Sequence, residues 1–459
     1  VTQGSLPRLG RLRSLASSHA AGALVAQVWQ AAASFGLQVA AAHLLGARGL
    51  GELALCLGVI ILTTAVTSGF VGDALTVLDR HDRGLRAGLQ WWAGVLALLG
   101  PVAATVTLWS FGVLEPAEAA WFCVAAALFQ VEEVARRLLM ATLRFWRLVV
   151  VDSVALVVAM VALVVVSAVG TVALGTFFVA IAAGQLAGLV VAIALAPADE
   201  RRLVSLRGAR IRQVASFGGW RGAQVSVNPG VFTAMRVLVI AVAGGAALGQ
   251  VEAARIYVAP AILAIQGIGS YLLASYARDR SLPLRALVAR ASRSSLGLAG
   301  GALALGVLLW AVAPVVGPWV TGDSFTLPAV TVLGWAVYAA ATATLQPFVS
   351  LAAARGRQRA ALVVRLADAF VSLASLAGLL AIGLPYQATP FVLAVGPFVG
   401  GLLTRSIVLA PMLREQRQPQ VTSSTSTSDP LVDAPLVGAR PGNADLGGNR
   451  LGKAVHHAR

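Results

Sequence analysis

Charge is scarce in this sequence. Asp, Glu, Lys and Arg make up 12% of its 459 residues, against 58% hydrophobic ones, whereas a soluble domain carries about 25% charged residues. That shortfall excludes a large water-exposed domain. Cysteine is scarce too. Cys56 and Cys123 lie in separate apolar stretches and offer neither a disulfide framework nor a metal-ligand set. No G-x-x-x-x-G-K-[ST] phosphate loop and no H-E-x-x-H pair occurs, so the chain holds neither a P-loop ATPase nor that metalloprotease motif. The connections on one side are too short to build a catalytic face, which argues against a membrane glycosyltransferase or ligase. The expectation is a non-enzyme that needs no cofactor and no metal.

What the chain does have is apolar length. Mean hydropathy is +0.82. Runs of about 20 residues, long enough to cross a hydrocarbon core of roughly 30 Å as helices, fill the chain from Ala20 to Pro411. Twelve spans are drawn: 20–45, 53–78, 87–112, 119–142, 148–169, 173–196, 214–243, 248–277, 291–313, 327–350, 360–381 and 388–410. The fold class expected is an all-α polytopic membrane protein of about twelve transmembrane helices.

The net charge of +16 comes almost entirely from arginine. A balance this basic raises nucleic acid as a partner, but the arginines gather in alternate short loops. Arg8, Arg11 and Arg13 precede the first span; Arg80, Arg83 and Arg86, Arg144 and Arg147, and Arg355, Arg357 and Arg359 mark later loops. The intervening loops are read as holding Glu52, Glu115, Glu118, Glu252 and Asp323, with little positive charge beyond Arg48 and Arg255. This is the positive-inside pattern. It places both termini in the cytoplasm and makes membrane lipid, not nucleic acid, the partner.

The basic stretch 197–213, with Arg201, Arg202, Arg207, Arg210 and Arg212, splits the spans six and six. Gly46, Leu50, Gly51, Gly69 and Arg80 align without gaps to Gly244, Leu248, Gly249, Gly267 and Arg278. Two parallel halves follow, related by an axis along the membrane normal: an N-lobe over 1–196, a linker over 197–213 and a C-lobe over 214–410. The Ser/Thr- and Gly-rich remainder, 411–459, lacks the apolar content to fold and reads as a disordered cytoplasmic tail.

Polar residues recur at helical spacing inside two matching spans. Gln27, Gln30, Ser34 and Gln38 share one face of the first, and Arg221, Gln224, Asn228 and Arg236 share a broad stripe of the seventh. At the repeat offset Gln30 meets Asn228 and Gln38 meets Arg236. Each arginine lies several residues inside its span, where a charge costs at least about 2.5–3.5 kcal/mol and faces water or a partner. The pair suggests a cationic wall suited to an anion such as a phosphate or diphosphate. Pro229 is expected to break the helix between them. Asp73 is a candidate ion-coupling acid or an arginine partner. Glu132–Arg136 and Glu133–Arg137 are i,i+4 pairs, and Asp152, soon after Arg147, looks like another local ion pair.

The stretch from His43 to Leu55, with Leu-Leu-Gly46 and Gly51, resembles the junction between the first two spans of Wzx-type polysaccharide flippases. These belong to the multidrug/oligosaccharidyl-lipid/polysaccharide exporter superfamily. The stretch from Gly244 through Gly249 to Ala254 is similar to that superfamily's second junction, while Leu53 stands where an aromatic is common. The resemblance covers about residues 14–410. It implies two six-helix lobes with spans 1, 2, 7 and 8 lining a cleft, located in the cytoplasmic membrane. It also implies alternating access to a polyprenyl-linked oligosaccharide for cell-surface polysaccharide, with polymerase and glycosyltransferases as neighbours. A cation-coupled small-molecule exporter of the same superfamily remains the alternative, with Asp73 as its buried acid.

Overall fold

The computed structural model describes residues 19–79, 81–279 and 282–415. The arginines of the N-terminal arm, Arg80 and the tail beyond Glu415 lie outside the described residues. Every element within them is helical, and no strand occurs among them.

Helix α1, His19–Thr67, runs through both of the first two expected spans and turns sharply at Gly46. It passes into a π-helical turn, Ser68–Gly72, and a last helical stretch, α2, Asp73–Val77. Four antiparallel helices follow: α3, Arg83–Ser110; α4, Pro116–Ala141; α5, Phe145–Val169; and α6, Leu174–Leu195. Helix α7, Ile211–Arg278, repeats the form of α1 and turns at Gly244. Then come α8, Leu284–Thr321; α9, Ala329–Ala354; α10, Gln358–Ala381; and α11, Thr389–Leu403, which continues through a π segment, Thr404–Leu409, into α12, Ala410–Glu415. Nine described helices are long and apolar enough to cross a membrane. Two of these, α1 and α7, fold back at their bends. With α4, whose C-terminal half carries four charged residues, the twelve expected spans are all present as helix.

Local chemistry explains the boundaries. Asp82 caps α3 by accepting from the Gly84 and Leu85 amides at 2.8 and 3.0 Å. Glu115 and Glu118 form a capping box at the start of α4, with Pro116 behind the cap. Gly322 ends α8 in the left-handed region. Pro229 does not break α7, whose only non-helical residue is Gly244. The residues around Pro229 keep helical dihedrals, so this proline leaves the helix unbroken.

The two bends are the centre of the fold. Gly46 has φ 64 and ψ −169, and Gly244 has φ 84 and ψ 174, a region essentially reserved for glycine. These two glycines were paired by the sequence repeat. Helices α1 and α7 make the most extensive contact in the structure. Just past the bends they cross at backbone distance: a side chain on Gly51 would meet the backbone of Gly245 and Gly249, and one on Gly249 would meet the backbone of Ala47. The contact is reciprocal, because Gly51 and Gly249 are repeat-equivalent, as are Ala47 and Gly245. Below the crossing the same helices stay joined, with the Thr233 hydroxyl donating to the Gly58 carbonyl at 3.0 Å.

Candidate functional site

Three groups of charged side chains sit among these helices. The first lies just past the bends. Glu252 is fully buried, and its carboxylate is divided between two arginines. Arg236 Nε donates to one oxygen at 2.8 Å, and Arg255 Nε donates to the other at 2.6 Å. Arg236 is 5% exposed and lies against Gly58, where a larger residue would displace it. The Arg255 side chain is 24% exposed, and its Nη2 donates to Gln38 Oε1 at 3.4 Å. Gln38 Nε2 is turned back to Ser34, bonding its hydroxyl and its carbonyl at 3.1 Å. One carboxylate against two guanidinium groups leaves a surplus positive charge, and Arg255 is the member that remains accessible.

The second group links α2 to α7. Arg221 reaches a single oxygen of Asp73 with Nε at 2.9 Å and Nη2 at 2.6 Å, and gives its Nη1 to Gln224 Oε1 at 2.5 Å. The pair is half-buried. Glycines set its distance: Gly69 packs on the Arg221–Gly222 backbone, and Gly218 and Gly222 pack on Phe70. The π turn Ser68–Gly72 adds a residue to the helix directly before Asp73.

The third group lies within the first six spans. Arg136, 3% exposed, is surrounded by Glu132, Glu133 and Asp152 at 3.8, 3.3 and 3.2 Å. Its Nη2 also donates to Gln30 Oε1 at 3.3 Å. Glu133 takes further bonds from Arg137 Nε at 2.7 Å and from the Ser68 hydroxyl at 2.9 Å. The hydroxyl of Thr67 donates to the amide oxygen of buried Gln130, whose amide nitrogen has no partner among the described residues.

The positions expected from the sequence are therefore divided among three groups. Arg236 and Gln38 belong to the first, Arg221, Gln224 and Asp73 to the second, and Gln30 to the third. Gln27 and Asn228 are exposed. The two stripe arginines are each neutralised by a carboxylate, so they do not form an open cationic wall. Asp73 takes the arginine-partner role. Glu52, Glu252 and Arg255, counted with the loop charges, lie on helices α1 and α7, the last two inside the span drawn over 248–277. Asp152 pairs with Arg136, while Arg147 donates to the Leu195 carbonyl. The i,i+4 pairs of α4 are present, but they are part of a tertiary cluster. Glu252 and Arg255 were legible as charges three residues apart inside an apolar run, a pattern that a loop assignment concealed.

At the bend end the first six spans also meet the rest of the chain through His43. Its Nε2 lies 2.7 Å from the Trp319 carbonyl, and the Ser324 hydroxyl donates to the Ala42 carbonyl at 2.9 Å. That end is closed.

No family model and no curated protein matches the chain. Solved structures do. The chain is similar to the lipid II flippase MurJ in an inward closed conformation, with TM-score 0.69, 8% identity, and coverage of 84% of this chain and 86% of that one. It is similar to an inward-facing multidrug resistance MATE family transporter of the MOP superfamily, with TM-score 0.67, 12% identity, and 85% and 96% coverage. An outward-facing MATE family transporter of the same superfamily gives TM-score 0.56 at 13% identity, with 86% and 96% coverage. The fold is that of MATE transporters and MurJ: an all-helical membrane protein of two six-helix lobes.

Proposed function

We propose that this chain is an alternating-access transporter of the cytoplasmic membrane. It flips a polyprenyl-diphosphate-linked oligosaccharide to the outer leaflet for cell-surface polysaccharide export, and it is supplied by glycosyltransferases and drained by a polymerase. The shared fold supports transport, and the surplus guanidinium charge supports the substrate class. Arg236 and Arg255 divide one carboxylate, and Arg255 is half-open beside Gln38. Arginine matches phosphate oxygens with paired donors. An arriving diphosphate takes the donors of Arg255 that Glu252 leaves unused, while Gln38, Gln30 and Gln27 line the approach along α1. Asn228, Gln224 and Arg221 form the facing approach along α7. In this reading the bends face outward, and the contacts of His43 and Ser324 hold the two sets of spans together at that end.

The test is reconstitution in vesicles with a fluorescent polyprenyl-diphosphate sugar. Arg255→Gln is expected to reduce flipping at least tenfold while leaving folding intact. Unchanged flipping would overturn the reading. The rival is a cation-coupled multidrug exporter, favoured by one observation: the third group holds three carboxylates against two arginines. Drug resistance that survives Arg255→Gln and is lost in Asp152→Asn would select that rival.

A further inference from the structure

The connection between α6 and α7 is an ordered strap with two different faces. Its inner face is captured through the backbone. One nitrogen of Arg86 donates to the carbonyls of Asp199, Glu200 and Arg202 at 2.9, 2.9 and 2.8 Å. Gln90 Oε1 accepts from the Val204 amide at 3.1 Å. Arg201 folds back onto the Ala196 carbonyl at 2.8 Å, closing the end of α6. The Arg210 amide donates to the Gly84 carbonyl at 2.9 Å, and its side chain meets Asp82 at 3.2 Å. Backbone held in this way has a fixed side-chain direction, and Val204, whose amide is bonded, is only partly exposed.

The outer face carries what remains. Leu203 is 87% exposed and Leu206 52% exposed. Arg202 and Arg207 flank them, and Arg83 and Arg212 lie close by in sequence at the strap's anchors, all exposed. A helical transporter has no reason to present two leucines to water when the same backbone, one residue over, leaves Val204 only partly exposed. Leucines framed by guanidinium groups match the boundary between headgroups and acyl chains, and the strap sits where α3 and α7 begin. We propose that this strap is a seat for anionic phospholipid. Arg202, Arg207 and Arg212 hold the headgroup phosphate, and Leu203 and Leu206 enter the acyl boundary. Because the strap is bonded to the start of α3 and runs directly into α7, an occupied seat ties the leaflet to the joint between the two six-helix lobes.

The experiment uses the full chain in nanodiscs of phosphatidylcholine with and without phosphatidylglycerol. Native mass spectrometry reads the lipid retained by the protein after release. The wild type is expected to retain phosphatidylglycerol in preference to phosphatidylcholine. The variant Arg202→Gln/Arg207→Gln/Arg212→Gln is expected to lose about fivefold in that preference for each arginine removed. Leu203→Ser/Leu206→Ser keeps the charge and is expected to release bound lipid faster. The control, Arg285→Gln/Arg293→Gln, removes two exposed arginines elsewhere and is expected to leave the preference unchanged. Equal losses in the control and the strap variant would mean diffuse charge attraction and overturn the proposal, as would a wild type without preference. All of these side chains are exposed, so an unchanged melting temperature separates a lost seat from a lost fold.

Discussion

Arg221 and Asp73 form an ion pair that closes on a single carboxylate oxygen through two donors, at 2.9 and 2.6 Å, across the junction of α2 and α7. Both side chains are partly open to solvent, so screening limits the pair to at most about 1 kcal/mol. Its weight falls on conformation, because it joins the two lobes at the end away from the bends. Asp73→Asn is expected to move the melting temperature little and to slow transport several-fold. The exchange Asp73→Arg/Arg221→Asp is expected to recover most of it. If the exchange stays as slow as the single variant, the pair is not a clasp between lobes.

Glu252 is the residue on which the first group depends. It is completely buried, and removing its charge strands two guanidinium groups. Loss of one member of a buried ion pair costs about 3–5 kcal/mol. Glu252→Gln is therefore expected to unfold at a markedly lower temperature. Arg236→Met is expected to be milder than Glu252→Gln, since Arg255 still balances the acid. The reverse order in a thermal melt would show that the acid, not the arginine, is the uncompensated charge.

The fold was legible because bilayer physics writes it into composition. Apolar length, alternating arginine loops and the Gly46–Gly244 repeat all report constraints that act locally. The site was legible only in part. Gln38 and Arg236 lie in one network through Arg255 and Glu252, which their repeat equivalence does not report, and the acid that organises it is counted among the loop charges. The charge alternation that located the loops also drew Glu252 and Arg255 into one. The Arg136 cluster was invisible for another reason: i,i+4 spacing shows a pair on one helix and says nothing of Asp152, Gln30 or Ser68 arriving from others.

The glycines at the crossing make a graded test. Gly249→Ala would drive a methyl group into the Ala47 backbone, which can only be relieved by moving α1 from α7, and overpacking of this kind costs about 1–3 kcal/mol. Gly46→Ala adds no collision but strains a backbone at φ 64, also at about 1–3 kcal/mol. Gly36→Ala meets nothing and is expected to be neutral or slightly stabilising in a helix. Melting temperatures that do not separate Gly36→Ala from the other two would contradict the packing.

The cap of α3 supplies a pH dependence outside the membrane-spanning segments. The Leu85 amide, with Arg210 adding to it, holds the Asp82 carboxyl below its ordinary value of 3.8. A carboxyl whose pKa is lowered by folding stabilises the fold above its unfolded pKa, and that contribution is lost as pH falls through the folded value. Wild type is thus expected to lose protection of the Gly84 and Leu85 amides in hydrogen exchange only as pH drops below about 4. Asp82→Asn keeps a capping oxygen and is expected to show protection that no longer follows this titration. An unchanged acid profile in that variant would assign the pH dependence to another group.

Arg136 and its three acids give the sharpest ordering. Glu133 is bonded by Arg136, Arg137 and Ser68 at once, while Glu132 makes only the longest contact, 3.8 Å. The cluster carries more carboxylate than guanidinium charge, so the acids are not equivalent. Glu133→Gln removes the charge shared by three donors, one of them on the π turn that leads into Asp73, and is expected to cost about 3–5 kcal/mol as a broken buried pair. Glu132→Gln removes the excess charge, keeps the shape and is expected to be neutral or stabilising. Arg136→Met leaves all three acids without their common partner and is expected to prevent accumulation of folded protein. Because each substitution is nearly isosteric, cavity effects are small and charge decides the order. A melt in which Glu132→Gln is the most damaging of the carboxylate variants would mean that Glu132, and not Glu133, holds Arg136 in place.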